Sequence, residues 1–488
     1  MYNSGRFTLR YVSTYFSYIA CGQSRCGYRL TDMTNAAVPS QEVLATAIRQ
    51  PLLRRPGFPI PGSAPRPVAI GDETDVLRAV TFYMGVALVF VKFAMLQEIQ
   101  AVVMGFNGRL LYLFGIPAAV GVLMGGGVRR ALASRPAYYW LAFAAWMWVS
   151  VPFSTWKGKS FSAAGHFLTI NVLLLFVIAG LVVSWRECQV LMRFLAVAAI
   201  VSLLTARIFA SKTSGRLDLE FGTISNSNDF AAHLLLMIPF LLWIVYRAKS
   251  FVVRTGALLA VCYGCVVVVK TASRGALIAM LAGVLFMLIR GSNRQRIAIV
   301  CVVPLTLLAV LTVVPAALLQ RISSFSRSDA NASEEALESS ASRQYLLKKA
   351  IEYAIKFPAV GVGPAVFADY EGTHNLVFGT HGMYHNAHNS YVLPFAEMGV
   401  PGGILFSAAF LSSFLLLNRT YRKAKLRKDC IDIQHTLFCV ILGMVCFCVA
   451  ITFVNFTYMF YGPAIAGLAI CLSRAANYEF ARRVPVPT

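Results

Sequence analysis

Charge is what this sequence has least of. Aspartate, glutamate, lysine and arginine make up 13% of its 488 residues, while 58% are hydrophobic. An ordinary soluble domain carries about 25% charged residues, so that class is excluded. Acidic residues are the scarcer sign, 21 against 44 lysines and arginines. Cysteine is missing from the one long polar stretch, 320–390, and the single CxxC spacing, Cys262 and Cys265, falls inside an apolar run with no second pair to complete a metal site. Neither a disulfide framework nor a zinc ribbon is therefore indicated, and Cys262, Cys265, Cys301, Cys439, Cys446, Cys448 and Cys471 read as small apolar packing residues. Histidine is rare too. Of seven in the chain, His374, His381, His385 and His388 fall within fifteen residues. Residues 1–75 show neither an apolar span nor a signal peptide; "PLLRRPGFPIPGSAPRP" is proline-rich, which predicts a disordered cytoplasmic tail. Met33 is an alternative start within that tail.

What is present is a series of long apolar runs. A helix needs roughly 20 apolar residues to cross a bilayer, because lipid satisfies no backbone polar group. On that basis about twelve spans are expected. They lie near 79–96, 110–127, 137–154, 167–184, 189–209, 230–247, 251–269, 274–290, 297–319, 391–418, 434–456 and 459–473. The expected fold is an all-α integral membrane protein. Alternate loops carry Arg129, Arg130 and Arg135, then Arg186, then Arg247 and Lys249, then Arg290, Arg294 and Arg296, then "NRTYRKAKLRK" at 418–428. The intervening loops are sparser, and the one near 457–458 has no basic residue. This positive-inside bias places both termini in the cytoplasm. The net charge of +23 thus reports topology and contact with anionic lipid rather than nucleic acid.

The chain divides into a tail (1–75), a first group of spans (76–319), a large exported loop (320–390), a second group of spans (391–473) and a cytoplasmic tail (474–488). A shorter exported loop, "SKTSGRLDLEFGTISNSNDF" at 211–230, precedes the sixth span. In the large loop, "SRQYLLKKAIEYAIKFP" reads as a helix that Ser342 caps and Pro358 stops. Leu346, Leu347, Ala350, Ile351, Ala354 and Ile355 give it one apolar face, which would rest on the bilayer or on the span ends.

The histidine cluster ends at a polar–apolar boundary, in "YHNAHNSYVLPFAEMGVPGG". There His388 could be a general base held neutral by partial burial, or a histidine that caps a helix or snorkels. His381, His385 and His388, spaced by four and three, would share a helical face and could bind metal; Gly382 and Asn386 weaken that helix, and no HExxH motif is present. Arg274, in "VVKTASRGALIAM", is a costly arginine so near lipid. It would be an interhelical ion pair, a snorkelling anchor, or a bidentate phosphate ligand; the scarcity of acidic residues nearby favours an anionic ligand. Arg216 sits in the first exported loop, and Arg343 opens the amphipathic helix, where a solvated surface charge is the commoner role.

"ASRQYLLKKAIEYAIKFPAVGVGPAVF" followed by "HNSYVLPFAEMGVPGGILF" resembles the C-terminal signature of the O-antigen ligase and polymerase superfamily. That signature is an arginine, an amphipathic helix, P-x-x-G-x-G, a variable exported loop, His-Asn-x-(Tyr/Leu), and E-x-G-x-x-G entering a span. "FGTISNSNDFAAHLLLMIPF" and "TASRGALIAM" match further patterns in the same order, so the resemblance covers roughly 200–480. It implies a GT-C-like, multi-spanning inner-membrane enzyme with its active face in the periplasm. Such an enzyme moves a glycan from a polyprenyl-diphosphate carrier to an acceptor hydroxyl, without metal or other cofactor. By motif, His388 matches the catalytic histidine, Arg216 and Arg274 the diphosphate-binding arginines, and Asn389 and Glu397 accessory positions. His385 lies in a second His-Asn pair, and the choice between it and His388 stays open. The chemistry is consistent: glycosyl transfer passes through an oxocarbenium-like state, so cations for the leaving diphosphate and one base for the acceptor suffice. The acceptor would be a glycan, lipid A–core or a protein. The rival class is a transporter or flippase, which usually shows internal repeats; none is evident here.

Overall fold

The structure is a computed structural model, and it describes residues 76–213, 216–219, 224, 226–293, 295–297, 300, 304, 334–375 and 383–483. Its long helices fall where the apolar runs lie. In chain order they are α1 (Val76–Phe93), α2 (Leu96–Met104), α3 (Leu110–Met124), α4 (Gly127–Leu132), α5 (Arg135–Ser150), α6 (Lys157–His166) and α7 (Leu173–Leu181). A π-helical turn, Phe167–Val172, joins α6 to α7. There follow α8 (Trp185–Phe209), α9 (Ser227–Arg247), α10 (Phe251–Lys270), α11 (Arg274–Arg290), α12 (Glu334–Lys356), α13 (Phe367–His374), α14 (Leu393–Lys425), α15 (Ile431–Ala450) and α16 (Tyr461–Arg482).

Seven described helices are long and apolar enough to cross a membrane; α3, at 15 residues, is a shorter apolar helix. The protein is thus an all-α membrane protein. The expected span at 297–319 lies almost wholly outside the described residues. The last span continues as helix to Arg482, so most of the tail placed at 474–488 is helical. One departure from pure helix sits between α8 and α9: β1 (Ser211–Thr213) and β2 (Arg216–Asp218) pair antiparallel, with Thr213 opposite Arg216.

The bundle has two chemically different ends. At one, basic side chains are neutralised locally. Arg474 donates to the carbonyls of Ala179 (2.7 Å) and Val182 (2.6 Å) at the end of α7, where carbonyls lack helical partners. Arg78 pairs with Glu187 at 2.5 Å, and Arg483 with Asp432 at 2.9 Å. The core between the ends is aromatic: Trp140 on α5 meets Phe406 and Phe410 on α14 edge-on, at centroid distances of 5.7 and 5.6 Å. The other end carries β1–β2, the 271–273 link, α12, α13, and the loop 451–460 between α15 and α16. The candidate site residues gather there.

The amphipathic helix differs from expectation in two ways. It begins at Glu334, so Ser342 lies inside it and does not cap it. Its apolar positions also divide between two faces. Leu346, Ala350 and Tyr353 are buried in a small core with Val362, Phe367, Ala387 and Ala396, whereas Ile351 and Ile355 are 46% and 75% exposed. The stripe was read too wide, because Tyr353, an amphipathic ring, takes the inward position that Ala354 and Ile355 were given.

Candidate functional site

Two glycine motifs build the floor of the site by bonding to each other. Helix α14 breaks at Gly399 (φ 68°, ψ −171°), two residues before Pro401. Pro401 has no N–H for the carbonyl four residues back, that of Glu397. Gly363 supplies it instead, its N–H donating to Glu397 at 2.9 Å. At the same break the N–H of Val400 donates to Pro358 (2.8 Å) rather than to Ala396, and the carbonyl left over accepts from Val362 (3.0 Å). Intrahelical bonds are thus exchanged for bonds between P-x-x-G-x-G, residues 358–363, and E-x-G-x-x-G, residues 397–402. The glycines permit the close approach: a Cβ on Gly399 would collide with the carbonyls of Pro358 and Ala359, and one on Gly361 with the backbone of Glu397.

Two buried carboxylates brace this floor. Glu397 accepts from the Phe367 N–H at 2.9 Å, at the start of α13, and from the Tyr458 hydroxyl. A carboxylate at a helix N-terminus satisfies an orphan N–H and meets the positive end of the dipole. Burial and the Glu397 charge hold the Tyr458 hydroxyl well above its ordinary pKa, so it stays a donor. Glu371, on α13, accepts from the hydroxyls of Tyr345 (2.6 Å) and Tyr353 and from the Asn375 amide (2.7 Å). Sequence reading missed Glu371, because an acidic residue in a polar loop gives no sign of burial. Both carboxylates are engaged by donors, which suits positioning rather than proton transfer.

The stretch 383–392 runs across this floor, and 383–387 is irregular rather than helical. The shared helical face proposed for a metal therefore fails at His385 and His388; His381 lies outside the described residues. Among the described residues no group of three His, Cys, Asp or Glu side chains is placed to hold a metal ion. His385 is exposed and His388 half-buried. Burial, the nearby Arg343 and then His385 push the His388 imidazole down to about 4, so it is neutral at neutral pH. Asn389 sets the turn that presents it, its Oδ1 accepting from the N–H groups of Tyr391 and Val392, both at 3.0 Å.

The elements that carry the two arginines meet at a second corner of the same end. Arg216, on β2, donates through Nε to the Thr271 carbonyl (3.0 Å) and through Nη2 to Ser227 Oγ (2.5 Å) and Asn228 Oδ1 (3.4 Å). These bonds join the starts of α9 and α11. Asn226 caps α9, accepting from Asn228 (2.9 Å) and Asp229 (3.1 Å) N–H groups, and Ser273 caps α11 through Ala276 N–H (3.4 Å). Arg274 is the first residue of α11 and half-buried. Arg216 thus ties the start of α9 to the link that precedes α11, where Arg274 is the first helical residue, and Asp229 lies in the first turn of α9.

Loop 451–460 joins the two corners. Ser390, two residues after His388, is buried. Its N–H donates to the Ile451 carbonyl (2.9 Å) and its Oγ to that of Val454 (2.7 Å), while Oγ accepts from the Phe456 N–H (2.8 Å). On the other side Phe453 packs on Gly275: a Cβ there would fall 2.6 Å from its Cβ and Cγ. The sequence signalled this loop only by its lack of basic residues.

Residues 256–407 match the family described as O-antigen ligase. This stretch is similar to that family over about a third of the chain. The resemblance read from the motifs is to that same superfamily. No curated protein matches the chain. The matched stretch contains Arg274, Arg343, His385, His388, Asn389 and Glu397, together with both interlocking glycine motifs. Arg216 and loop 451–460 lie outside it and reach it through the contacts above.

Proposed function

We propose that the protein is an inner-membrane glycosyltransferase of the O-antigen ligase or repeat-unit polymerase type, with about twelve spans, cytoplasmic termini and a periplasmic active face. Its donor is a glycan on a polyprenyl diphosphate, and its acceptor is a hydroxyl group on a glycan or on lipid A–core. The observation that carries this reading is the pairing of a neutral, half-buried imidazole with a cationic corner, linked through one loop within a single end of the bundle.

Each group has a role. His388 takes the proton of the acceptor hydroxyl as its oxygen bonds to the anomeric carbon. The bond from that carbon to the diphosphate oxygen breaks, and its electron pair leaves on the diphosphate. Arg216 and Arg274 stabilise that charge, helped by the N-termini of α9 and α11. Bonds from a guanidinium to anionic phosphate oxygens are stronger than those Arg216 makes to the neutral oxygens of Ser227 and Asn228. Asn389, Glu397 and Arg343 shape and bias the histidine segment without touching the reacting atoms. A diphosphate leaving group needs no general acid, and the scheme uses none.

Glycan analysis of a deletion strain tests the reading. Lost glycan on lipid A marks a ligase, shortened chains mark a polymerase, and glycan lost from protein marks an O-oligosaccharyltransferase. Unchanged surface glycans, lipids and glycoproteins contradict the proposal.

A further inference from the structure

Phe453 is the exposed residue of a loop whose neighbours are half-buried or buried, at 36% against the buried Ile451, Val454 and Phe456. Its backbone is fixed, its N–H donating to the Ala450 carbonyl at 3.0 Å at the end of α15. One side of its side chain is fixed as well, seated on Gly275 beside Arg274. On either side of it the same loop grips Ser390, through Ile451 before it and Val454 and Phe456 after it, and so holds the segment that carries His388. Among the described residues its ring pairs with no other aromatic ring. The half-buried Thr452 and Asn455 lie near it in the chain, Thr452 Oγ1 donating to the Val449 carbonyl (2.7 Å) and Asn455 Oδ1 accepting from the Thr457 N–H (3.4 Å). An apolar face with a few polar groups beside it is the usual make-up of a small-molecule subsite.

Resting on the donor reading above, we propose that Phe453 is the platform for the donor's first sugar, the pyranose bonded to the diphosphate. The leaving diphosphate belongs at Arg274 and the attacking hydroxyl at His388, so the ring that carries the anomeric carbon must lie between them. Phe453 packs on the Arg274 corner and belongs to the loop that holds Ser390 at the other. A pyranose presents one face of C–H groups with partial positive charge, and the electron-rich face of a phenyl ring attracts it. Stacking of this kind tolerates different sugars, and it orients the anomeric carbon while leaving its hydroxyl groups to Thr452 and Asn455.

The test compares two probes on the full-length protein in lipid nanodiscs: undecaprenyl diphosphate alone, and undecaprenyl diphosphate bearing N-acetylglucosamine. Phe453→Leu should weaken binding of the sugar-bearing probe about tenfold and leave the bare diphosphate unchanged, because leucine keeps the apolar bulk but not the π face. Phe453→Tyr should bind both probes as the wild type does. If Phe453→Leu binds both probes normally, or weakens both alike, Phe453 is not a sugar platform. A wild-type protein that binds neither probe overturns the donor reading itself, and this proposal with it.

Discussion

His388 illustrates how environment sets the use of a residue. Its imidazole is pushed down from 6.5 to about 4, first by burial, then by Arg343 and His385. A base must be neutral to accept a proton, so this group limits the rate only on the acid side, as pH falls through about 4. We expect kcat/KM to show no acid limb near 6.5; a limb there would mean that the base has an ordinary pKa. The same shift acts on stability. The unfolded chain binds the proton between about 4 and 6.5 and the folded chain does not, so folded stability rises with pH in that window and is lost as pH falls through it. Arg274→Ala should weaken donor binding at least ~30-fold, as expected for losing one side of a desolvated charge pair, and Arg274→Lys should restore only part of it. Binding titrations with the lipid-linked donor measure both; full restoration by lysine would argue against a bidentate contact.

Among elements, the break in α14 is decisive, because it turns a helix interior into a docking strip. Gly399→Ala must place an alanine at φ 68°, ψ −171°, a conformation essentially restricted to glycine, at a cost of about 1–3 kcal/mol before any clash with Pro358 and Ala359. Melting in detergent should show a clear loss of thermal stability, and an unchanged transition would mean that the two motifs do not depend on this contact. Glu397→Gln, which keeps one acceptor for the Phe367 N–H, should lose less stability than Glu397→Ala; equal losses would argue against the cap. The sequence showed these two motifs but not their union, since bonds between residues 358–363 and 396–400 leave no periodic trace. Helices were legible from runs of apolar residues, and the boundary at Pro358 from proline chemistry. The inward face of α12 was misread because a tyrosine, not an aliphatic side chain, closes its core. Loop 451–460 was invisible as a functional element, for its work is done by backbone groups and by Ser390 across a gap of sixty residues.

For the whole molecule, the account requires that all candidate groups share one side of the membrane. Reporter fusions after residue 340 should read periplasmic and those near 425 cytoplasmic; the same side for both would remove the proposed active face. Chelation should leave activity intact, because imidazole and guanidinium groups carry the scheme. Loss on chelation, restored by zinc, would return His381, His385 and His388 to the role of ligands. The most direct measurement is glycan transfer by the purified protein, from its polyprenyl-diphosphate donor to acceptor, for the wild type, His388→Ala and His385→Ala. Removal of a general base costs about 10²–10⁴-fold. The account predicts that loss for His388→Ala with donor binding preserved, and a modest defect for His385→Ala. Normal turnover by His388→Ala, correctly inserted, would contradict it.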